Sequence, residues 1–320
     1  MKKIFFLCAM CASMTAFATE GALSGKFTIN ANGDQIQFAQ GNLQYQASTD
    51  TWQFAANQWD IIGTDNDSIG DPNYTGWIDL FGWGTGANPT QSSLDDANYA
   101  TFVDWGTNAI SNGANTPNMW RTLTGDEWEY ILKRRANIEN LRAFATVNGT
   151  HGLIILPDDW TTPAGLSIVY LANIEGDWKA DWTTNTYDGA DWTTMEDNGA
   201  VFLPAAAAAR MIEGFPIAAF LGVGGMYWAS TNRPSSPEEA DDIMFALQAD
   251  EYGFVQVEFA TGTGNAHYGE SVRLVLDIEI TTGVENLQSN NTGCKKILRN
   301  GQLLIEKNGK TYNALGNYAK

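Results

Sequence analysis

The sequence predicts an α+β protein made mostly of short strands and long loops, with few helices. Three observations carry this. Short apolar runs alternate with clusters of Gly, Asn, Asp and Thr, a pattern of strands separated by turns. One stretch, Thr124 to Arg135, carries a clear helix signal. Beyond residue 18 the only cysteine is Cys294, so an internal disulfide is excluded and packing alone must hold the core. A chain of 320 residues is long enough for that, as one large domain or two smaller ones.

The N-terminus has the three parts of a secretory signal. Lys2 and Lys3 form a basic start, Ile4 to Met14 is a mostly apolar run, and Ala16-Phe17-Ala18 places small residues where a signal peptidase needs them. The expected cut falls between Ala18 and Thr19. The run is shorter than the roughly 20 apolar residues that span a bilayer. Cys8 and Cys11 lie in surroundings that fit a lipid-attachment site poorly. Strands are expected at Gln35–Phe38, Trp52–Ala55, Gly152–Leu156, Ala200–Leu203 and Tyr227–Ser230. A hairpin is expected from Ile243–Leu247 and Phe254–Phe259. At Thr124 a capping box is spelled out, with Thr124 and Glu127 three positions apart. Trp128, Ile131 and Leu132 then share one helix face, and Lys133, Arg134 and Arg135 sit where the dipole favours cations. In Ser271–Ile280, alternation puts Val272, Leu274, Leu276, Ile278 and Ile280 on one side of a strand. Residues 281–293 read as a polar linker. Residues 294–320 form a β-rich tail, with Asn-Gly turn signals at Asn300 and Asn308.

Charge is unevenly placed. Thr19 to Gly293 holds 10 basic against 36 acidic residues, whereas Cys294 to Lys320 holds 6 basic residues and one acid, Glu306. An acidic body repels the phosphates of nucleic acid, which excludes that class of partner. No segment after the signal is long and apolar enough for a transmembrane helix.

The candidates for chemistry are few. His151 and His267 have no ligand partners at zinc-site spacing. Asp65, Asp67 and Asp71 form an oxygen-rich loop that offers calcium a weak site without the full EF-hand pattern, and Asp158-Asp159 and Asp188 to Asp191 are weaker versions of it. Otherwise no cofactor is expected. Cys294 has Lys295 and Lys296 beside it, but no base and orienting partner accompany it. With so many acids a hydrolytic pair of carboxylates is conceivable, yet no pair is singled out by its context. The tryptophans are the better lead. All twelve lie between Trp52 and Trp228, and Trp77, Trp83, Trp105, Trp178 and Trp182 sit in Gly-rich or polar segments. Such rings beside Asp and Asn either stack on sugars or fill a loop-rich core.

Several phrases resemble known families. Met119–Tyr130 (MWRTLTGDEWEY), Gly225–Thr231 (GMYWAST) and Gly269–Val275 (GESVRLV) resemble, in order and spacing, segments of the formylglycine-generating enzymes and of the fibrobacter major paralogous domain. Gly41–Tyr45, Trp52–Phe54 and Gly76–Gly84 resemble phrases of exported proteins of the same group. The resemblance implies a C-type lectin-like fold over residues 19–280. It does not bring the enzymes' chemistry, because their copper-binding cysteine pair is absent from this body. Nor does it bring calcium-dependent sugar binding, because the lectin loop motifs are absent. Asn300–Asn313 resembles short type IX secretion sorting segments, which implies an export machinery as partner of the tail. The expected function is a non-catalytic binding module at the cell surface or outside the cell, with a glycan or protein ligand. The alternatives are an adhesin-type interaction protein without a small ligand and a glycoside hydrolase with paired carboxylates.

Overall fold

The computed structural model describes residues 19–71, 73–171, 182–206, 208–209, 218–219, 221–222, 224–232, 239–246, 260–278, 294–299, 302–307 and 310–313. The chain divides into two compact units, Met1–Glu279 and Ile280–Lys320. The expected signal and the 281–293 linker lie outside the described residues. Among the described residues no helix is long and apolar enough to cross a membrane.

The first unit is α+β, mostly sheet with few helices. Strands β1 (Phe27–Thr28) and β2 (Gln35–Phe38) pair antiparallel, and Val275–Ile278 adds to the other side of β2. Strands β3 (Leu43–Gln46) and β4 (Thr51–Phe54) form a hairpin. Strands β5 (Arg142–Val147), β6 (Thr150–Ile155), β7 (Thr186–Tyr187) and β8 (Val201–Pro204) make a four-stranded sheet in the order β7-β5-β6-β8. Gly224–Asn232, Glu239–Ala246 and Ala260–Asn265 make a third antiparallel sheet. The expected hairpin partner Phe254–Phe259 falls outside the described residues. Two short helices, α1 (Gly125–Glu129) and α2 (Gly189–Asp197), complete the unit.

The four-stranded sheet is covered on both faces, as its continuous apolar runs require. Leu153 and Ile155 of β6 and Val201 and Leu203 of β8 face a core shared with Phe27, Phe38 and the α1 side chains. Ile154 and Phe202 face the opposite way, against Trp192 and Met195 of α2. A third cluster is aromatic and surrounds the β3-β4 hairpin, where Tyr45, Trp52, Phe54, Phe81, Trp105 and Trp120 pack together.

Helix α1 starts as the sequence predicts. The Thr124 hydroxyl accepts from Glu127 N at 3.2 Å, and the Glu127 carboxylate accepts from Thr124 N at 2.8 Å. Trp128, Ile131 and Leu132 are buried together. The helix is α only to Glu129 and continues as a π turn over Tyr130–Arg134. The reason lies at Arg135, which is buried rather than a surface cation. Its Nε donates to Ile131 O at 2.9 Å and its Nη1 to Leu156 O at 2.7 Å, with Asp158 Oδ1 at 3.1 Å. Turning this side chain inward widens the last turn. Thr124→Ala removes one arm of the box and is expected to cost about 1 kcal/mol of unfolding free energy, measurable by urea denaturation.

The phrases Met119–Tyr130, Gly225–Thr231 and Gly269–Val275 meet in space. Arg121 and Val275 exchange backbone hydrogen bonds of 3.0 and 2.9 Å, Ser230 N donates to Leu123 O at 2.8 Å, and Trp228 N donates to Ser271 O at 3.1 Å. The Ser271–Ile280 expectation needs a correction. Among the described residues of this segment Val275–Ile278 pairs as a strand, Ile280 lies outside them, and both sides of the preceding stretch are buried, Ser271 and Arg273 as fully as Val272 and Leu274. Arg273 donates to Ala39 O at 3.0 Å, Asn42 Oδ1 at 3.1 Å and Phe202 O at 2.7 Å. Gln58 completes this seal on the outer edge of β8, accepting from Phe202 N at 2.7 Å and donating to Ala200 O at 3.1 Å. Side chains thus do for this edge what a neighbouring strand would do.

The second unit is a three-stranded antiparallel meander: Cys294–Arg299, Gln302–Lys307 and Lys310–Asn313. Its register pairs Arg299 with Gln302 and Lys307 with Lys310, so an Asn-Gly pair in the sequence separates each strand from the next.

Candidate functional site

The β3-β4 hairpin and the loops beside it enclose a cleft of about 210 Å³. Its floor is Tyr45 of β3 beside Ile78, joined by two backbone hydrogen bonds of 2.9 Å. Ile69, at the end of the 3-10 helix Gly63–Gly70, lines the cleft together with Asp71, Tyr74 and Gly76, which follow that helix. The facing side is Thr90 and Ser92, with Ala47 at the end of the floor.

Local hydrogen bonding fixes each wall. Asp71 N donates to Ser68 O at 2.9 Å and Tyr74 N to Asp71 O at 3.0 Å, so the loop leaves the 3-10 helix as consecutive turns. Asp71 Oδ1 accepts from Asn73 N at 2.8 Å. Gln46 Nε2 donates to Thr75 O at 2.7 Å, which ties this wall to β3. The Tyr74 hydroxyl donates to Trp77 O at 3.1 Å. Gly76 is required by close approach, because a Cβ there would overlap the Tyr74 phenol. The Thr90–Ser92 side is held from behind by buried Tyr99, whose hydroxyl lies 3.3 Å from Gln91 O and 2.9 Å from Ser93 O.

The 3-10 helix itself is clipped to the core by a buried pair. Asn66 Nδ2 donates to Asp79 Oδ1 at 2.7 Å, Asn66 Oδ1 accepts from Asp79 N at 2.9 Å, and Asp79 Oδ2 accepts from Ile62 N at 2.9 Å. Burial pushes the Asp79 carboxyl up to about 6, against the pull of these hydrogen bonds. The Tyr45 hydroxyl is pushed up to about 12 by burial, by its hydrogen bond to Asp50 and by the charge on Asp50. The Tyr74 hydroxyl is raised by burial and by the charges of Asp65 and Asp79. Both phenols therefore stay neutral and act as donors and flat faces.

Two aromatic rings, one carboxylate and two hydroxyls around a space this small suit a single sugar ring or a side chain of similar size. Ligand pockets for drug-sized molecules run to roughly 300 Å³ and more. Comparison with protein-family models, curated proteins and solved structures gives no match.

The expected tryptophans are not brought together here. Trp83 and Trp105 are core residues, not exposed platforms: both are buried in the aromatic cluster, and Trp83 Nε1 donates to Ala229 O at 2.9 Å. Loops this rich in glycine leave space that only large rings fill. Trp77 is half-buried and is not among the residues lining the cleft, though its carbonyl accepts from the Tyr74 hydroxyl. Trp182 is half-buried elsewhere, stacked on His151 at 5.1 Å between centroids. Trp178 lies outside the described residues. Of the three calcium candidates, Asp71 lines the cleft, while Asp65 and Asp67 are exposed on the 3-10 helix. Among the described residues no three acidic, His or Cys side chains converge on one metal position. Asp158 and Asp188 have structural work: Asp158 accepts from Thr28 N and Oγ1, Gln35 and Arg135, and Asp188 caps α2 through Ala190 N and Asp191 N. His267 pairs with Asp96 at 2.6 Å, and His151 Nδ1 meets Gly222 O at 2.7 Å. Cys294 opens the first strand of the second unit.

Sequence reasoning missed Tyr45, Tyr74, Thr90 and Ser92. The signal that pointed near them was the Gly76–Gly84 phrase, whose first glycine makes room for the Tyr74 ring.

Proposed function

We propose that this chain is an exported, non-catalytic binding module of C-type lectin-like architecture that holds a saccharide in the Tyr45–Tyr74 cleft. The observation that carries the reading is the cleft's make-up: aromatic faces for the apolar side of a sugar ring, with Asp71, Thr90 and Ser92 for its hydroxyls. Both walls are tied down before any ligand arrives, which lowers the ordering cost of binding. The spatial meeting of the three family-like phrases supports the lectin-like architecture. The N-terminal signal supports export, and the basic three-stranded tail supports a second address read by a secretion machinery. Hydrolysis by paired carboxylates is less favoured, because Asp71 is the one acid lining the cleft and that mechanism uses two.

The test is a glycan array probed with the purified protein, with and without calcium, beside Gly76→Ala. The added methyl overlaps the Tyr74 phenol and displaces the ring, so binding is expected to fall about tenfold while a cooperative melting transition is retained. Undiminished glycan binding by Gly76→Ala, or no glycan bound by wild type in either condition, refutes the reading.

A further inference from the structure

The residues lining the cleft all come from a part of the sequence with no positive charge. From Phe27 to Trp120 there are ten aspartates and no Lys, Arg or His. Four of those carboxylates bear on the cleft. Asp71 lines it. Asp50 accepts the Tyr45 hydroxyl at 3.0 Å. Asp65 and Asp79 impose their charge on Tyr74. A concave site with one sign of charge and low-dielectric walls concentrates the opposite ion. Aromatic faces attract cations through the ring quadrupole, most strongly where water is excluded. A neutral sugar would use the hydroxyls and the rings but would leave this field without a partner.

We infer that the cleft selects a ligand carrying a primary ammonium group and that, within the saccharide class proposed above, this ligand is an amino sugar with a free amine. The ammonium group pairs with Asp71 and lies against the phenol of Tyr74 or Tyr45, while the ring hydroxyls meet Thr90 and Ser92. N-acetylation removes the charge that pairs with Asp71. The inference rests on the cleft being a saccharide site, and its test separates the two claims.

Isothermal titration of the purified protein compares D-glucosamine, N-acetylglucosamine, D-glucose and the diamine cadaverine at low ionic strength and in about 0.5 M salt. Glucosamine is expected to bind about tenfold tighter than glucose or N-acetylglucosamine, and salt is expected to erode that advantage. Asp71→Asn should bring glucosamine and glucose to equal affinity, while the amide oxygen still caps Asn73 N and keeps the loop in place; an undiminished preference in this variant overturns the pairing with Asp71. Equal affinity for glucosamine and glucose overturns the inference and leaves the saccharide reading in place. Cadaverine binding as tightly as glucosamine overturns the amino-sugar assignment. Binding of none of the four overturns both claims.

Discussion

Replacing Arg273 with methionine is expected to cost about 3–5 kcal/mol of unfolding free energy. That is a large part of the roughly 5–15 kcal/mol that holds a typical domain together. The guanidinium is buried, and burial lowers it to about 10, still high enough for it to remain charged at neutral pH. Its three acceptors are the Ala39 and Phe202 carbonyls and Asn42 Oδ1. Methionine fills much of the volume but donates nothing, so three buried oxygens lose their partner at once. Asn42 also donates to the Tyr227 hydroxyl at 3.2 Å, and that hydroxyl donates to Pro204 O at 2.9 Å, so the loss spreads along a connected network. Arg273→Lys should retain part of the stability, because an ammonium group still donates to some of the same oxygens. Urea unfolding of the three proteins tests this. A loss below 1 kcal/mol for Arg273→Met would show that the edge of β8 is sealed by something else.

The second large effect is a pH dependence set by Asp79. Its carboxyl is raised from 3.8 to about 6 in the folded chain, with burial as the main cause. A raised acid favours the fold while protonated, so its contribution is fully present below 3.8 and is lost as pH rises through 6. The shift corresponds to about 3 kcal/mol between those limits. Many other carboxylates titrate in the same range, so the informative quantity is the difference between wild type and Asp79→Asn. The amide loses the acceptor facing Ile62 N, an offset that is nearly constant with pH. On top of it, the wild-type advantage should shrink by about 2.4 kcal/mol from pH 4 to pH 7. A pH-independent difference between the two proteins would mean that Asp79 ionises in the fold as easily as in the unfolded chain.

Much of the scaffold was legible in the sequence because local chemistry specified it. The alternation in Gln35–Phe38 and Thr51–Phe54 matches their alternating burial, and Thr124 with Glu127 sets the start of α1. The Asn-Gly pairs of the tail fall between the strands whose register pairs Arg299 with Gln302 and Lys307 with Lys310. What the sequence hid is tertiary. Alternation in Ser271–Ile280 resembles a half-exposed strand, and only the fold shows that Phe202 of β8 and the Ala39–Asn42 segment after β2 give Arg273 its acceptors. The bend of α1 into a π turn depends on Leu156 and Asp158, which are distant in sequence from Arg135. The cleft is assembled from β3, the loop after the 3-10 helix and the Thr90–Ser92 segment, and no periodicity links those three. Trp83 and Trp105 went to the core, and Tyr45, itself packed on Trp52, and the half-buried Tyr74 line the cleft instead.

The central claim is that the Tyr45–Tyr74 cleft is where this protein meets its ligand. The most direct test is a crystal structure of the full chain with the best-scoring sugar from the array. The account predicts a sugar ring lying against Tyr45 or Tyr74, with Asp71, Thr90 or Ser92 within hydrogen-bonding distance of its polar groups. A sugar bound elsewhere on the protein, with this cleft unoccupied, would contradict it.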